Sequence, residues 1–408
     1  MLREEIEIKT IPVGKLGIIP MKGCEQLAEN IDFYLSTWRK NRDSAHKYEF
    51  GLDGYERDTY IIKADTPRFG SGEAKGILYD SVRGMDIFIL VDVCNSSIEY
   101  KMTGMINHMS PDDHFQDLKR IIAAIGSRAN RINVIMPFLY ESRQHKRTYR
   151  ESLDCAMGLE ELYAMGVDNI ITFDAHDPRV INAAPLNSFE NVRPSYQFLK
   201  YLCKNVEGIQ FDKEHMLMIS PDEGAMDRAV YFASVMGIDM GMFYKRRDYS
   251  TIVNGSNPIV AHEYLGTSPE GKDVIIVDDM ISSGGSMIDT AKAIKERGAK
   301  DVYVFATFGL FTNGLEKFDK AYEDGLIKRI LTTNGTYQSP ELLSREYYIN
   351  VDLSKYMSYY IDSINHNASV SDLLDPSARI RTLMDAYREN GLKYPTQNLW
   401  PAWISQLL

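Results

Sequence analysis

The feature that most constrains this chain is a repeated alternation of short aliphatic, β-branched runs with segments whose apolar residues fall at helical spacing. The clearest unit lies in the second half. Val274-Ile-Ile-Val is an unbroken apolar run that ends on Asp278 and Asp279, and a Gly/Ser turn follows. Met287, Ile288, Ala291 and Ile294 then fall on one face of a helix, Gly298 stands where it should stop, and residues 301–307 form the next apolar run. A strand, a helix and a second strand in this order predict a crossover joining parallel neighbours. The rhythm also appears earlier: a strand over 132–138, a helix carrying Leu153, Met157, Leu159, Leu162 and Met165 and stopped by Gly166, then strands over 169–174 and 216–220. The fold class predicted is α/β with mainly parallel sheets.

A chain of 408 residues is longer than one compact domain usually is. The turn-rich stretch 183–194 is the natural break, so the expected organisation is a unit over 1–187, a second over 188–345 and a C-terminal helical segment with an extension over 346–408. No apolar run approaches the roughly 20 residues needed to cross a bilayer, and charges at Arg3, Glu4, Glu5 and Glu7 occupy the place of a signal peptide's apolar core. A cytoplasmic protein with no membrane partner is expected. Cys24, Cys94, Cys155 and Cys203 show no CxxC pairing, which suits reduced, buried thiols. A net charge of −11 argues against a nucleic-acid partner, so an anionic ligand would need a local basic patch.

Polar residues just after the apolar strands carry the most information, because ligands of open α/β sheets gather beyond the strands' carboxyl ends. In the loop 282–286, Gly284 and Gly285 allow a tight turn, so that backbone N–H groups and the hydroxyls of Ser282, Ser283 and Ser286 can wrap a phosphate at a helix start. Asp278 and Asp279 lie a sugar's length away and suit the vicinal hydroxyls of a ribose phosphate. Arg143, Lys146, Arg147 and Arg150 form a basic cluster of the kind a polyphosphate requires.

The segment 274–287 resembles the phosphoribosyl-diphosphate-binding signature of the type I phosphoribosyltransferase fold. Further segments, in family order, narrow the resemblance to the ribose-phosphate pyrophosphokinases. Arg68-Phe-Gly-Ser-Gly-Glu73 is similar to that family's Arg-Phe-Ser-Asp-Gly-Glu loop, Ser142-Arg-Gln-His145 to its Ala-Arg-Gln-Asp loop, and Asp174-Ala-His-Asp177 to its Asp-Leu-His-Ala strand end. Ser220-Pro-Asp-Glu-Gly224 and Lys245-Arg-Arg-Asp248 resemble its Ser-Pro-Asp-x-Gly and Lys-Arg-Arg-Pro elements. The chain departs from the pattern at Ser71, His145, Ser282 and Ser283. Residues 94–108 look inserted, and the stretch after Asp375, with Trp400 and Trp403, looks added.

The resemblance implies two tandem phosphoribosyltransferase-like domains and transfer of the β,γ-diphosphoryl group of Mg-ATP to the 1-hydroxyl of ribose 5-phosphate, releasing AMP. Carried over residue by residue, it implies that Lys245 and Arg247 are catalytic, at the base of a lid containing Gly255, Ser256, Asn257 and Pro258. It implies that Arg143 and Gln144, with Phe69 and Glu73 from a neighbouring subunit, bind ATP. It implies that Asp278, Asp279 and Ser282 to Ser286 bind ribose 5-phosphate, and that His176 and Asp222, with Asp174 beside them, hold Mg²⁺. The family forms dimers that often associate into hexamers, so a homo-oligomer is expected. Two alternatives stay open: a non-catalytic regulatory homologue of the same fold, and a phosphoribosyltransferase.

Overall fold

The computed structural model describes residues 11–41, 54–247 and 259–395, with the side chains of 245–247 and 259–262 outside the description. In the first half the elements are β1 (Lys15–Pro20), α1 (Glu25–Asn41), β2 (Ala64–Asp65), β3 (Ile77–Leu78), β4 (Met85–Leu90), β5 (Glu99–Met102), β6 (Met105–His108), α2 (Pro111–Ile125), β7 (Arg131–Ile135), α3 (Asp154–Ala164), β8 (Asn169–Phe173) and β9 (Ser188–Val192). Next come α4 (Ser195–Asn205), β10 (Met216–Ser220), α5 (Met226–Met236), β11 (Asp239–Arg247), β12 (Ile259–Gly266), β13 (Asp273–Ile281) and α6 (Gly285–Lys295). The chain closes with β14 (Val302–Gly309), α7 (Glu316–Glu323), β15 (Arg329–Thr333), α8 (Pro340–Leu343), β16 (Tyr348–Val351), α9 (Ser354–Asn365), α10 (Ser371–Leu374) and α11 (Ser377–Glu389).

Two sheets organise these elements. The first runs β1-β4-β7-β8-β9, all parallel; the second runs β12-β11-β10-β13-β14-β15-β16, parallel except where β12 pairs antiparallel with β11 at the edge. Every residue of β4 and of β14 is buried, as expected of strands covered on both faces, which explains why they are mostly apolar and do not alternate. Helix α2 shows how local sequence sets an element: Ser110 caps Asp113, Asp113 caps Ser110 in return, and Pro111 occupies the first turn. In α3, Leu159 and Leu162 are buried, whereas Met157 is 54% exposed although the periodicity put it on the apolar face.

The turn-rich stretch around residue 187 is a crossover inside the first unit. Strand β9 pairs with β8, so the first sheet extends to Val192, and β16 adds residues 348–351 to the second sheet. The C-terminal segment is shared between the two cores. Tyr356, Met357, Tyr360 and Ile361 of α9 pack into the first core, while Ile380, Leu383 and Tyr387 of α11 pack into the second. A buried polar network ties α9 down: Arg39 meets Asp362 at 3.0 Å and Asn365 at 2.7 Å, and Asn365 donates to buried Asp86, which also accepts from Arg131. Such groups tolerate burial because each is paired. All four cysteines are free, and Cys24, Cys155 and Cys203 are buried.

Candidate functional site

The two sheets present their carboxyl ends to one crevice. Strand β8 ends at Phe173, and the turn after it places Asp174 and His176; β13 carries Asp278 and Asp279; β14 carries Thr307; α5 brings Arg228 in its first turn. His176 Nδ1 lies 2.7 Å from Asp279 Oδ2. Arg228 Nε donates to Asp174 at 2.8 Å and its Nη2 to the Ala175 carbonyl at 3.0 Å, while Thr307 donates to the other oxygen of Asp174 at 2.7 Å. Residues from both sheets are thus stitched together at the strand ends.

The adjacent carboxylates behave differently. Burial, and then the charge of Asp279, pushes Asp278 well above the usual carboxylate range. Burial acts on Asp279 too, but the His176 hydrogen bond and the Arg228 charge outweigh it and hold Asp279 below its ordinary value. Asp279 is therefore the fixed charge of the pair and Asp278 the strained one. Because a carboxylate only accepts, His176 donates to Asp279 from Nδ1, which leaves Nε2 on the other edge of the ring.

A cavity of about 510 Å³ opens beside this dyad, lined among others by His145, Lys146, His176, Arg179, Arg193 and Arg228. His145 reaches Asp177 at 3.2 Å and its ring sits 5.4 Å from that of His176. Burial lowers the His145 pKa, and Arg179, donating to Asp177 at 2.9 Å, helps bring that carboxylate down to about 2. The cavity walls therefore carry fixed charges of both signs at neutral pH.

The segment expected to cradle a phosphate is a tight turn between β13 and α6. Gly284 adopts φ +79°, and a Cβ there would lie 2.1 Å from the Phe318 ring, so only glycine fits. Gly285, by contrast, faces open space. Thr312 N–H to Ser282 O at 3.0 Å braces the turn from the next strand's loop. Ser283 and Ser286 are exposed and Ser282 half-buried, above a helix start whose first N–H groups lack intrahelical acceptors.

Other predicted residues are placed less simply. Asp174, expected beside a metal, is committed to Arg228 and Thr307. Asp222 Oδ1 accepts from the Gly224 amide at 3.0 Å, which fixes its loop at the end of β10. Gln144 turns its amide inward onto the carbonyls of Lys146 and Ser152, at 3.3 and 2.8 Å, and so shapes the 144–152 loop, whereas Arg143 is exposed. Phe69 and Glu73 sit on an exposed turn closed by Phe69 N–H to Glu73 O at 2.7 Å. Lys245 and Arg247 end β11, with Lys245 opposite His262, Arg247 opposite Ile259 and a register shift between residues 246 and 247; their side chains, and the lid residues Gly255 to Pro258, lie outside the described residues, as do Trp400 and Trp403. Arg228 and Thr307 were not singled out from the sequence. An arginine in a helix's first turn and a threonine inside a strand carry no local signal of what they meet.

Two family models match this chain in tandem: the N-terminal domain of ribose phosphate pyrophosphokinase over residues 16–166 and a phosphoribosyl transferase domain over residues 199–345. The chain belongs to the ribose-phosphate pyrophosphokinase family. A ribose-phosphate pyrophosphokinase of Vibrio parahaemolyticus is 27% identical over 317 residues, covering 76% of this chain and 91% of that protein. One from Pyrococcus abyssi is 30% identical over 205 residues, covering 50% of this chain and 66% of its own length. The crystal structure of phosphoribosylpyrophosphate synthetase from Mycobacterium smegmatis superposes with a TM-score of 0.65 at 20% identity, spanning 87% of this chain and all of that one. The first sheet begins in the first matched region and runs on through β8 and β9, and the second lies in the second matched region apart from β16, so the tandem phosphoribosyltransferase fold expected of the family is the fold observed. Among the described residues no helix is long and apolar enough to cross a membrane.

Proposed function

We propose that this member of the ribose-phosphate pyrophosphokinase family transfers the β,γ-diphosphoryl group of Mg-ATP to the 1-hydroxyl of ribose 5-phosphate, as a cytoplasmic enzyme assembled from copies of itself. The observation that carries this reading is the 2.7 Å bond between His176 and Asp279. It joins a strand end of the first sheet, beside a cavity lined by charges of both signs, to the Asp278–Asp279 pair of the second.

In this reading the turn 282–286 holds the 5-phosphate, and Asp278 and Asp279 accept hydrogen bonds from the ribose hydroxyls, which sets the 1-hydroxyl toward the cavity. Arg143, Gln144, Phe69 and Glu73 hold the nucleotide, so that nucleophile and β-phosphorus meet in line. Lys245 and Arg247, at the end of β11, meet charge that builds on the diphosphoryl group in transit. Among the described residues no three His, Cys, Asp or Glu side chains converge, so a cation here would draw most of its shell from phosphate oxygens and water. The donors that fit it are His176 Nε2, whose ring is oriented by Asp279, and Asp222; bound there, Mg²⁺ would neutralise phosphate charge. Asp174 acts one step behind, holding with Arg228 the turn that presents His176.

The test is a pair of titrations on Asp278→Asn/Asp279→Asn. Ribose 5-phosphate binding should weaken by about 1.5–3 kcal/mol for each charge-assisted bond lost, while binding of a non-hydrolysable ATP analogue changes little. Loss of ATP binding with ribose 5-phosphate binding intact would make the cradle the nucleotide site instead.

A further inference from the structure

The β5–β6 hairpin, the stretch that looked inserted, is built against the 68–73 turn. Its own turn, Thr103-Gly104, has φ of +51° and +83°, the pattern of a tight two-residue hairpin. From that tip Thr103 donates its N–H to the Gly70 carbonyl at 3.0 Å. Met102 presses so closely on Gly72, itself at φ +95°, that a Cβ there would lie 2.7 Å from the Met102 sulfur. At the base, the Arg68 guanidinium lies 4.8 Å from the Tyr100 ring centroid and 3.0 Å from Asp117. Backbone, floor and flank of the turn are therefore each held by a different hairpin or helix group. Phe69, 53% exposed, and Glu73 are left outward on a braced loop.

We infer that Tyr100, Met102 and Thr103 are positioning residues, and that the hairpin pre-shapes the 68–73 turn so that Phe69 and Glu73 meet the adenine nucleotide without first being ordered. This rests on the proposed role of that turn in ATP binding. A short surface turn that must order on binding loses affinity to that ordering, and a clamp formed in the free protein removes the loss. The contacts of these residues fall on the 68–73 turn and on Asp113 of α2, so the effect belongs in nucleotide binding and not in the chemical step.

The test combines hydrogen exchange with steady-state kinetics on the full chain. In Tyr100→Ala/Met102→Ala, the amides of Phe69 and Gly72 should lose protection, the KM for ATP should rise about tenfold, and kcat and the KM for ribose 5-phosphate should hold. Tyr100→Phe, which keeps the ring under Arg68, should restore wild-type values when combined with native Met102. Gly104→Val, which breaks the exposed hairpin turn away from both cores, should reproduce the double variant and guards against a general folding defect. Unchanged protection at Phe69 and Gly72, or lost protection with an unchanged KM for ATP while Phe69→Ala raises that KM, overturns the clamp. If Phe69→Ala itself leaves the KM for ATP unchanged, it is the nucleotide role of the turn that fails, and the inference falls with it.

Discussion

Gly284 and Gly285 are neighbours in the turn between β13 and α6, yet the structure gives alanine at each a different outcome. At Gly284, φ of +79° is left-handed, which costs an L-residue roughly 1–2 kcal/mol. The added Cβ would also sit 2.1 and 2.5 Å from two carbons of Phe318, a ring with no exposed surface that packs edge-on to Phe311 with centroids 5.0 Å apart. Phe318 cannot move without disturbing that core, and overpacking of this kind costs about 1–3 kcal/mol. Gly284→Ala should therefore destabilise by about 2–5 kcal/mol and, because relief of the clash must distort the turn, weaken ribose 5-phosphate binding as well. Gly285→Ala meets open space at a helix start and should be neutral or stabilising by up to about 1 kcal/mol. Urea unfolding of both variants, with calorimetric titration of ribose 5-phosphate into each, reads both effects. Equal stability of the two variants would refute the assigned turn geometry.

Three other substitutions probe the strand ends. Arg228→Met strands the Asp174 carboxylate, and losing one partner of a mostly buried pair should cost about 3–5 kcal/mol in urea unfolding; a wild-type midpoint would show that the pair does not brace the site. Asp278, whose folded-state pKa lies above its unfolded value near 3.9, binds its proton more tightly when folded, so it disfavours the fold increasingly as pH rises above about 4. Asp278→Asn should accordingly raise the melting temperature at neutral pH while weakening ribose 5-phosphate binding, and a lowered melting temperature would contradict the assigned strain. Lys245→Ala should lower kcat by on the order of 10²–10³ with little change in ribose 5-phosphate binding, and wild-type turnover would remove Lys245 from the mechanism.

What was legible in the sequence was whatever one element decides alone. The run from Val274 to Ile294 carried its strand, turn and helix because four apolar residues, a glycine pair and a helical face follow one another without tertiary help. Contacts between elements were not legible. His176 and Asp279 are 103 residues apart, and nothing around either residue announces the other. Arg228 looks like any arginine in a first helical turn until β8 is brought against α5. Gln144 could be matched to a motif, but whether its amide faces a ligand or the carbonyls of its own loop depends on how residues 144–152 close. The boundary near residue 187 had the composition of a linker, and only the pairing of β9 with β8 reveals a crossover there. The insertion could be seen as extra chain, but its grip on the 68–73 turn rests on Thr103 meeting Gly70 across 33 residues.

The central claim is that both substrates meet in one site and that the diphosphoryl group moves as a unit. It is tested most directly by incubating the purified full chain with Mg²⁺, ATP and ribose 5-phosphate and following the phosphorus resonances of all products. The account predicts that AMP and a 1-diphosphorylated ribose 5-phosphate appear together in equal amounts, with both the β- and γ-phosphorus of ATP on the sugar. Release of ADP, or binding of both substrates with no transfer, would contradict it.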